Sequence, residues 1–298
     1  MSDELIQSEA AVRAGRPHDA LQRLTAAVRA KPADVALRIY LAQLLCVLGQ
    51  WERAHTQLNV AADMDAKTVP MRETVGHALR CELLRAEVFA GKRTPMVFGQ
   101  PDDWLALLIE SLLQAGRGDA AMAQDLAVRA FDAAPASAGT IDGQRFEWLA
   151  DADSRLGPVL EACVNGRYYW IPFSRLSRIR FEPPEDLRDC VWTAAQLMFD
   201  NGGETVALVP TRYPGSEASA DGLVCLARKT EWREGGAERW FGLGQRVFAS
   251  DLGEHDLMQV REVQFDSAEP MASTDPATAA VPAEPASPAS PGAPLTAA

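Results

Sequence analysis

The feature that most constrains this chain is a spacing. Gly15, Ala20, Leu24, Ala27 and Pro32 are followed, thirty-four residues on, by Gly49, Ala54, Leu58 and Ala61, with Ala66 where the proline would recur. Gly118, Ala123, Ala127, Ala130 and Pro135 repeat the same offsets a third time. The glycine turns the chain between two helices, the small alanines let those helices approach closely, and the proline ends the second helix. A unit of this kind cannot bury its apolar face alone, so its copies must stack.

The spacing is that of the second half of a tetratricopeptide repeat. The segments between the markers read as helices one by one. Asp34 is placed to N-cap "VALRIYLAQLLCVLG", which is apolar nearly all round and is expected to be the buried central helix. "RETVGHALRCELLRAEVFAGKR" is expected to be helical as far as Gly91. "PDDWLALLIESLLQAG" should start at a cap provided by Asp102 or Asp103 and carry Trp104, Leu107, Leu108 and Leu112 on one stripe. The intervening "TPMVFGQP" is too rich in Pro and Gly for helix, so the array is irregular. Residues 1–138 are read as a TPR-like helical domain whose concave surface suits a peptide or a helix.

After "PASAGTIDG" the period changes from helical to alternating. "VLEACV", Asn165-Gly166 and "RYYWIPF" read as a hairpin with a two-residue turn. "SRIRF" alternates, and "DCVWTAAQLMF", "DNGG" and "TVALVPTRY" give a second hairpin. "LVCLARKTEW", "GQRVFAS" and "DLMQVREVQF" supply further strands. Residues 139–266 are therefore expected to form a small, mostly antiparallel domain of six or seven strands, and the whole an α+β protein. Residues 267–298 are mainly Ala, Pro, Ser and Thr with a few acids and no Lys or Arg, and are read as a disordered tail.

The net charge of -12 and pI near 4.9 oppose binding to nucleic acid or anionic membrane and favour a basic or amphipathic protein segment. No apolar run approaches the ~20 residues that span a bilayer. "MSDELIQSEAAVRAG" lacks a signal peptide's basic start and apolar block, so a cytoplasmic location is expected. Cys46, Cys81, Cys163, Cys190 and Cys225 are scattered without a C-x-x-C pair and read as reduced core residues.

The stretch with the most conspicuous chemistry is "DADSRLGPVLEACVNGRYYW", residues 151–170. Asp151, Asp153 and Arg155 are compatible with a metal or acid–base site, with partner binding, or with mutual pairing that shapes the turn before Gly157-Pro158. As a calcium loop the segment fails, since Leu156 stands where Gly is required and Ala162 where Glu is required. "GLGQRV" at 242–247 begins like a dinucleotide fingerprint but has Val247 in place of the third glycine, and reads as a turn. His18, His55, His77 and His255 lack ligand spacing, and no serine sits in a G-x-S-x-G elbow. No catalytic residue, metal or cofactor is therefore assigned. Trp104, Trp148, Tyr168, Tyr169 and Trp170, with Asp151 and Asp153, form the expected partner-binding set; core packing is the competing role for the aromatics.

"EWLADADSRLGPVLEACVNGRYYWIPF", "PEDLRDCVW", "NGGETVALVPTRYPGS", "LARKTEW" and "GLGQRVFASDLGEHDLMQVREVQF", with the N-terminal "GRPHDAL…LLCVLGQWERAHTQL", resemble the ImpE/SciE family, also called TagJ, of type VI secretion accessory proteins. The resemblance covers most of residues 1–265. It implies a cytoplasmic accessory protein that binds the N-terminal helix of the small sheath subunit, TssB, and so bears on sheath assembly or on disassembly by the ATPase ClpV. Two other readings stand beside it: a scaffold for another cytoplasmic assembly, and a carboxylate- or metal-dependent enzyme using Asp151 and Asp153.

Overall fold

The computed structural model describes residues 3–236 and 239–266; the Ala/Pro-rich stretch read as a tail lies outside them. The repeat markers sit where the spacing predicts. Gly15, Gly49 and Gly118 all have positive φ and join consecutive helices. They link α1 (Asp3–Arg13) to α2 (Pro17–Ala30), α3 (Val35–Val47) to α4 (Trp51–Met64), and α6 (Asp103–Gly116) to α7 (Ala120–Ala133). Ala20, Ala54 and Ala123 are buried, as are Leu24 and Leu58, so the same face of each unit packs inward. Asp34 caps α3, accepting a hydrogen bond from the Leu37 amide at 3.1 Å. That helix buries eight of its residues, as expected of the central member.

Between the helix pairs runs α5 (Val69–Phe89), the longest helix among the described residues. The break that follows it contains a short strand, β1 (Met96–Val97). Asp102 occupies the N-cap position of α6, but its side chain makes no cap bond and pairs instead with Arg175 at 3.0 Å. The C-termini of α5 and α6 touch through glycine: a Cβ on Gly116 would lie 2.5 Å from the Ala90 carbonyl oxygen and 2.7 Å from Gly91 Cα.

The second half is a larger sheet system than the alternation suggests. In chain order the strands are β2 (Gly139–Ile141), β3 (Gln144–Phe146), β4 (Leu149–Asp151), β5 (Val159–Val164), β6 (Arg167–Pro172), β7 (Leu176–Phe181), β8 (Trp192–Phe199) and β9 (Glu204–Pro210). They continue as β10 (Thr230–Glu234), β11 (Trp240–Gly244), β12 (Val247–Ser250), β13 (Gly253–Asp256) and β14 (Glu262–Phe265). A nine-stranded sheet runs β1-β6-β5-β9-β8-β7-β14-β2-β3, antiparallel throughout except where β1 joins β6 in parallel. The β10–β11 hairpin and a three-stranded sheet, β13-β12-β4, complete it. The strands outnumber the six or seven expected because several are only two to four residues long, too short for alternation to reveal. Two expected strands are corrected. "LVC" lies in a helical turn, α8 (Gly222–Cys225), capped by Asp221, and in "DLMQVREVQF" the strands are interrupted: Asp256 ends β13, residues 257–261 are not strand, and only "EVQF" pairs as β14. The two predicted hairpins form; Asn165 and Gly166 both take positive φ, as a type I′ turn needs.

β5 is buried along its whole length, with the sheet core on one side and α5 and α6 on the other. Cys81, Val88, Trp104, Leu105 and Leu108 from the helices meet Leu156, Val159, Tyr168 and Trp170 in this layer. The Cys81 and Cys163 sulfurs come within 2.7 Å of each other. A buried arginine ties the layers again: Arg212 donates to the Val47 carbonyl at 2.6 Å, the Cys46 carbonyl at 3.1 Å and the Cys225 carbonyl at 2.5 Å. The last carbonyls of α3, which have no partner inside the helix, are thus capped from the sheet side.

Candidate functional site

Asp151 and Asp153 open a buried ionic seam. β12 pairs with β4, setting Phe248 opposite Asp151, and this register brings Arg246 to the same place. Arg246 donates from Nη1 to Asp151 and from Nη2 to Glu161, and from Nε to the Pro210 carbonyl at 2.9 Å. Across the helix layer Arg85 of α5 donates to both Glu161 oxygens, at 2.7 and 3.1 Å. Tyr168 donates to Glu161 at 2.5 Å and receives the Trp170 indole N–H at 2.7 Å. Tyr213 donates its hydroxyl to Asp151 at 3.0 Å and accepts the Val247 amide. Asp153 forms a separate bidentate pair with Arg155 and accepts the Gly242 amide at 2.8 Å.

The electrostatics follow from this wiring. Burial works to raise the Glu161 carboxyl, but Arg85 and Arg246 outweigh it and hold the group down at about 2. Burial dominates at Asp151 and pushes it up to about 7, against the pull of Arg246. Burial also works to lower Arg246, and its two carboxylate neighbours reverse that, keeping the guanidinium charged. Every carboxylate oxygen of Asp151, Asp153 and Glu161 already accepts from an arginine, a tyrosine or a backbone amide. A metal ion or a substrate proton would have to displace one of these donors. The arrangement suits a seam that locks elements together.

The expected partner-binding residues divide. Trp104, Tyr168, Trp170, Asp151 and Asp153 are buried, which corrects their assignment to a contact surface: the three aromatics lie between the helices and the sheet, and the two aspartates are enclosed by Arg246, Arg155 and the Gly242 amide. Tyr169, on the other face of β6, is half-buried and stacks on Phe98 with ring centroids 4.3 Å apart. Trp148 is exposed. Sequence reading missed Arg85, Glu161, Arg212, Tyr213 and Arg246. "VLEACV" hides a charged residue in an apolar run, which is itself a signal, since a strand buried on both faces admits a carboxylate only if it is paired.

On the surface of the helical array lies an open groove of about 690 Å³. Its walls are the start of α4, with Trp51, Glu52, Arg53 and His55, and the middle of α5, with Leu79, Arg80 and Leu83. Leu79 and Leu83 are one turn apart on α5; the first is buried and the second is 58% exposed. Trp51 is held by Trp192 of β8, at 6.1 Å between centroids, and the Trp192 indole N–H donates to Glu82. The rim carries both charge signs, with Glu52 beside Arg53 and Arg80.

Paired helices in TPR-like units, packed on a mostly antiparallel sheet through a closed ionic seam, define a helical-repeat protein joined to a β-sheet domain. Comparison with known proteins narrows this. Residues 143–264 match the family model described as ImpE protein, and residues 11–71 match a tetratricopeptide repeat. The type VI secretion system accessory component TagJ of Pseudomonas aeruginosa is 48% identical over 262 residues, covering 88% of this chain and 92% of that protein. The crystal structure of a Vibrio parahaemolyticus protein matches the fold with a TM-score of 0.81, at 23% identity, over 88% of this chain and 98% of that one. The chain belongs to the ImpE family and is an accessory component of type VI secretion.

Proposed function

We propose that this protein is a non-enzymatic cytoplasmic adaptor that takes the N-terminal helix of the small sheath subunit, TssB, in the groove between α4 and α5. Through that grip it bears on sheath assembly or on ClpV-driven disassembly. The observation that carries the reading is the groove: it is open, and an exposed leucine stands one turn from a buried one at its wall. An amphipathic helix docks by setting apolar anchors at i, i+3 and i+4 into such a floor, with its charged flanks on the rim. The saturated carboxylates of the seam support a role without catalysis, and among the described residues no helix is long and apolar enough to cross a membrane.

Titration calorimetry against a synthetic peptide of the TssB N-terminal helix tests this. Saturable one-to-one binding is expected, weakened at least about tenfold, or ~1.4 kcal/mol, by Leu83→Asp. No binding to the wild-type protein would overturn the partner. Binding untouched by Leu83→Asp would overturn the groove.

A further inference from the structure

A second surface feature lies far along the chain from that groove. Trp232 pairs with Gly242 and Glu234 with Trp240 across the β10–β11 hairpin, so alternation puts Trp232, Glu234 and Trp240 on one face. Arg233 and Arg239 alternate to the other face, where the Arg239 guanidinium lies 5.3 Å from the Phe241 ring centroid. The tryptophan face meets the three-stranded sheet across a cleft of about 350 Å³ lined by Ala152, Trp232, Trp240 and Glu254. Small Ala152 leaves the floor open, while Glu254 projects from β13 on the facing side.

The walls are held in place. Trp232 rests on buried Tyr213, with ring centroids 5.7 Å apart. The Trp240 backbone is tied on both sides: its amide donates to Ser154 Oγ at 3.0 Å, and its carbonyl accepts the Ser154 amide at 2.9 Å. Even so, the Trp240 side chain is 48% exposed, and neither Glu254 nor Glu234 makes a salt bridge among the described residues. Two indole side chains and a carboxylate without a salt bridge around one cleft match the chemistry of a cation: ring quadrupoles and carboxylate attract the same charge. An apolar occupant would gain nothing from Glu254, and an anion would meet that carboxylate in a protein of net charge -12.

We propose that the cleft between Trp232, Trp240 and Glu254 binds a lysine or arginine side chain presented by a protein partner. The site is distinct from the α4–α5 groove, and its existence does not depend on the sheath subunit being the partner.

The test uses the full ¹⁵N-labelled chain, with the indole N–H signals assigned through Trp→Phe variants. The probe is acetyl-Gly-Arg-Gly-amide, and the control is the same peptide with uncharged citrulline for arginine. Saturable millimolar shifts of the Trp232 and Trp240 indoles are expected with the arginine peptide alone, falling off as salt is raised. Glu254→Gln, at an exposed position, should weaken binding about three- to fivefold, and Trp240→Leu should abolish it while leaving distant signals in place. Equal shifts from the citrulline peptide, no shift of either indole in the tens of millimolar, or affinity unchanged in Glu254→Gln would each overturn the proposal.

Discussion

At position 246 one guanidinium is shared between two buried carboxylates, and the energetics of such a group are asymmetric. Forming the seam takes four charges out of water, so its net contribution to stability is small; breaking it strands what remains. Arg246→Met leaves Asp151 without its arginine partner and Glu161 with Arg85 alone, and should cost about 3–5 kcal/mol in urea unfolding. Glu161 also sets an acid limb. Its folded pKa, about 2, lies below the ordinary value of 4.5. The carboxylate therefore stabilises the fold fully above about pH 5, and the contribution fades as pH falls from there toward 2. The stability gap between wild type and Glu161→Gln should accordingly close on acidification from about pH 5 toward 2. A gap independent of pH down to 3 would show that Glu161 acts by shape alone.

At the scale of elements, the contact between α5 and α6 reverses an ordinary expectation. Gly→Ala inside a helix stabilises it by roughly 1 kcal/mol on propensity. At Gly116 the new methyl would meet the Ala90 carbonyl oxygen at 2.5 Å, and backbone cannot step aside. Gly116→Ala should therefore destabilise by about 1–3 kcal/mol, read as a lowered Tm. This pair of glycines illustrates what the sequence does and does not carry. Gly91 was legible as a helix stop, but its embrace of Gly116 was not, because nothing local in the chain specifies which helix end lies opposite. The same holds for the seam. The thirty-four-residue period, the cap at Asp34 and the Asn165-Gly166 hairpin are local patterns and could be read directly. Arg85, Glu161 and Arg246 are joined across 76 and 85 residues, and only the fold brings them together. Asp151 and Asp153 stood out as residue types, yet Asp151 is covered by β12 and Asp153 meets Gly242 of β11, strands some ninety residues later.

For the molecule as a whole, the described residues form one compact unit, and the apolar layer of Val88, Trp104, Tyr168 and Trp170 runs between helices and sheet. Helical circular dichroism and tryptophan fluorescence should therefore report a single coincident unfolding transition. Two resolved transitions would show instead that the array melts independently. Arg212 adds a constraint on how such a chain can vary in length. Its guanidinium meets carbonyls at the very end of α3, and one residue inserted anywhere in that helix would swing those carbonyls by about 100° and shift them by about 1.5 Å. Insertions are thus admissible in the surface turns but not in α3, whose length acts as a gauge block between the two halves of the protein.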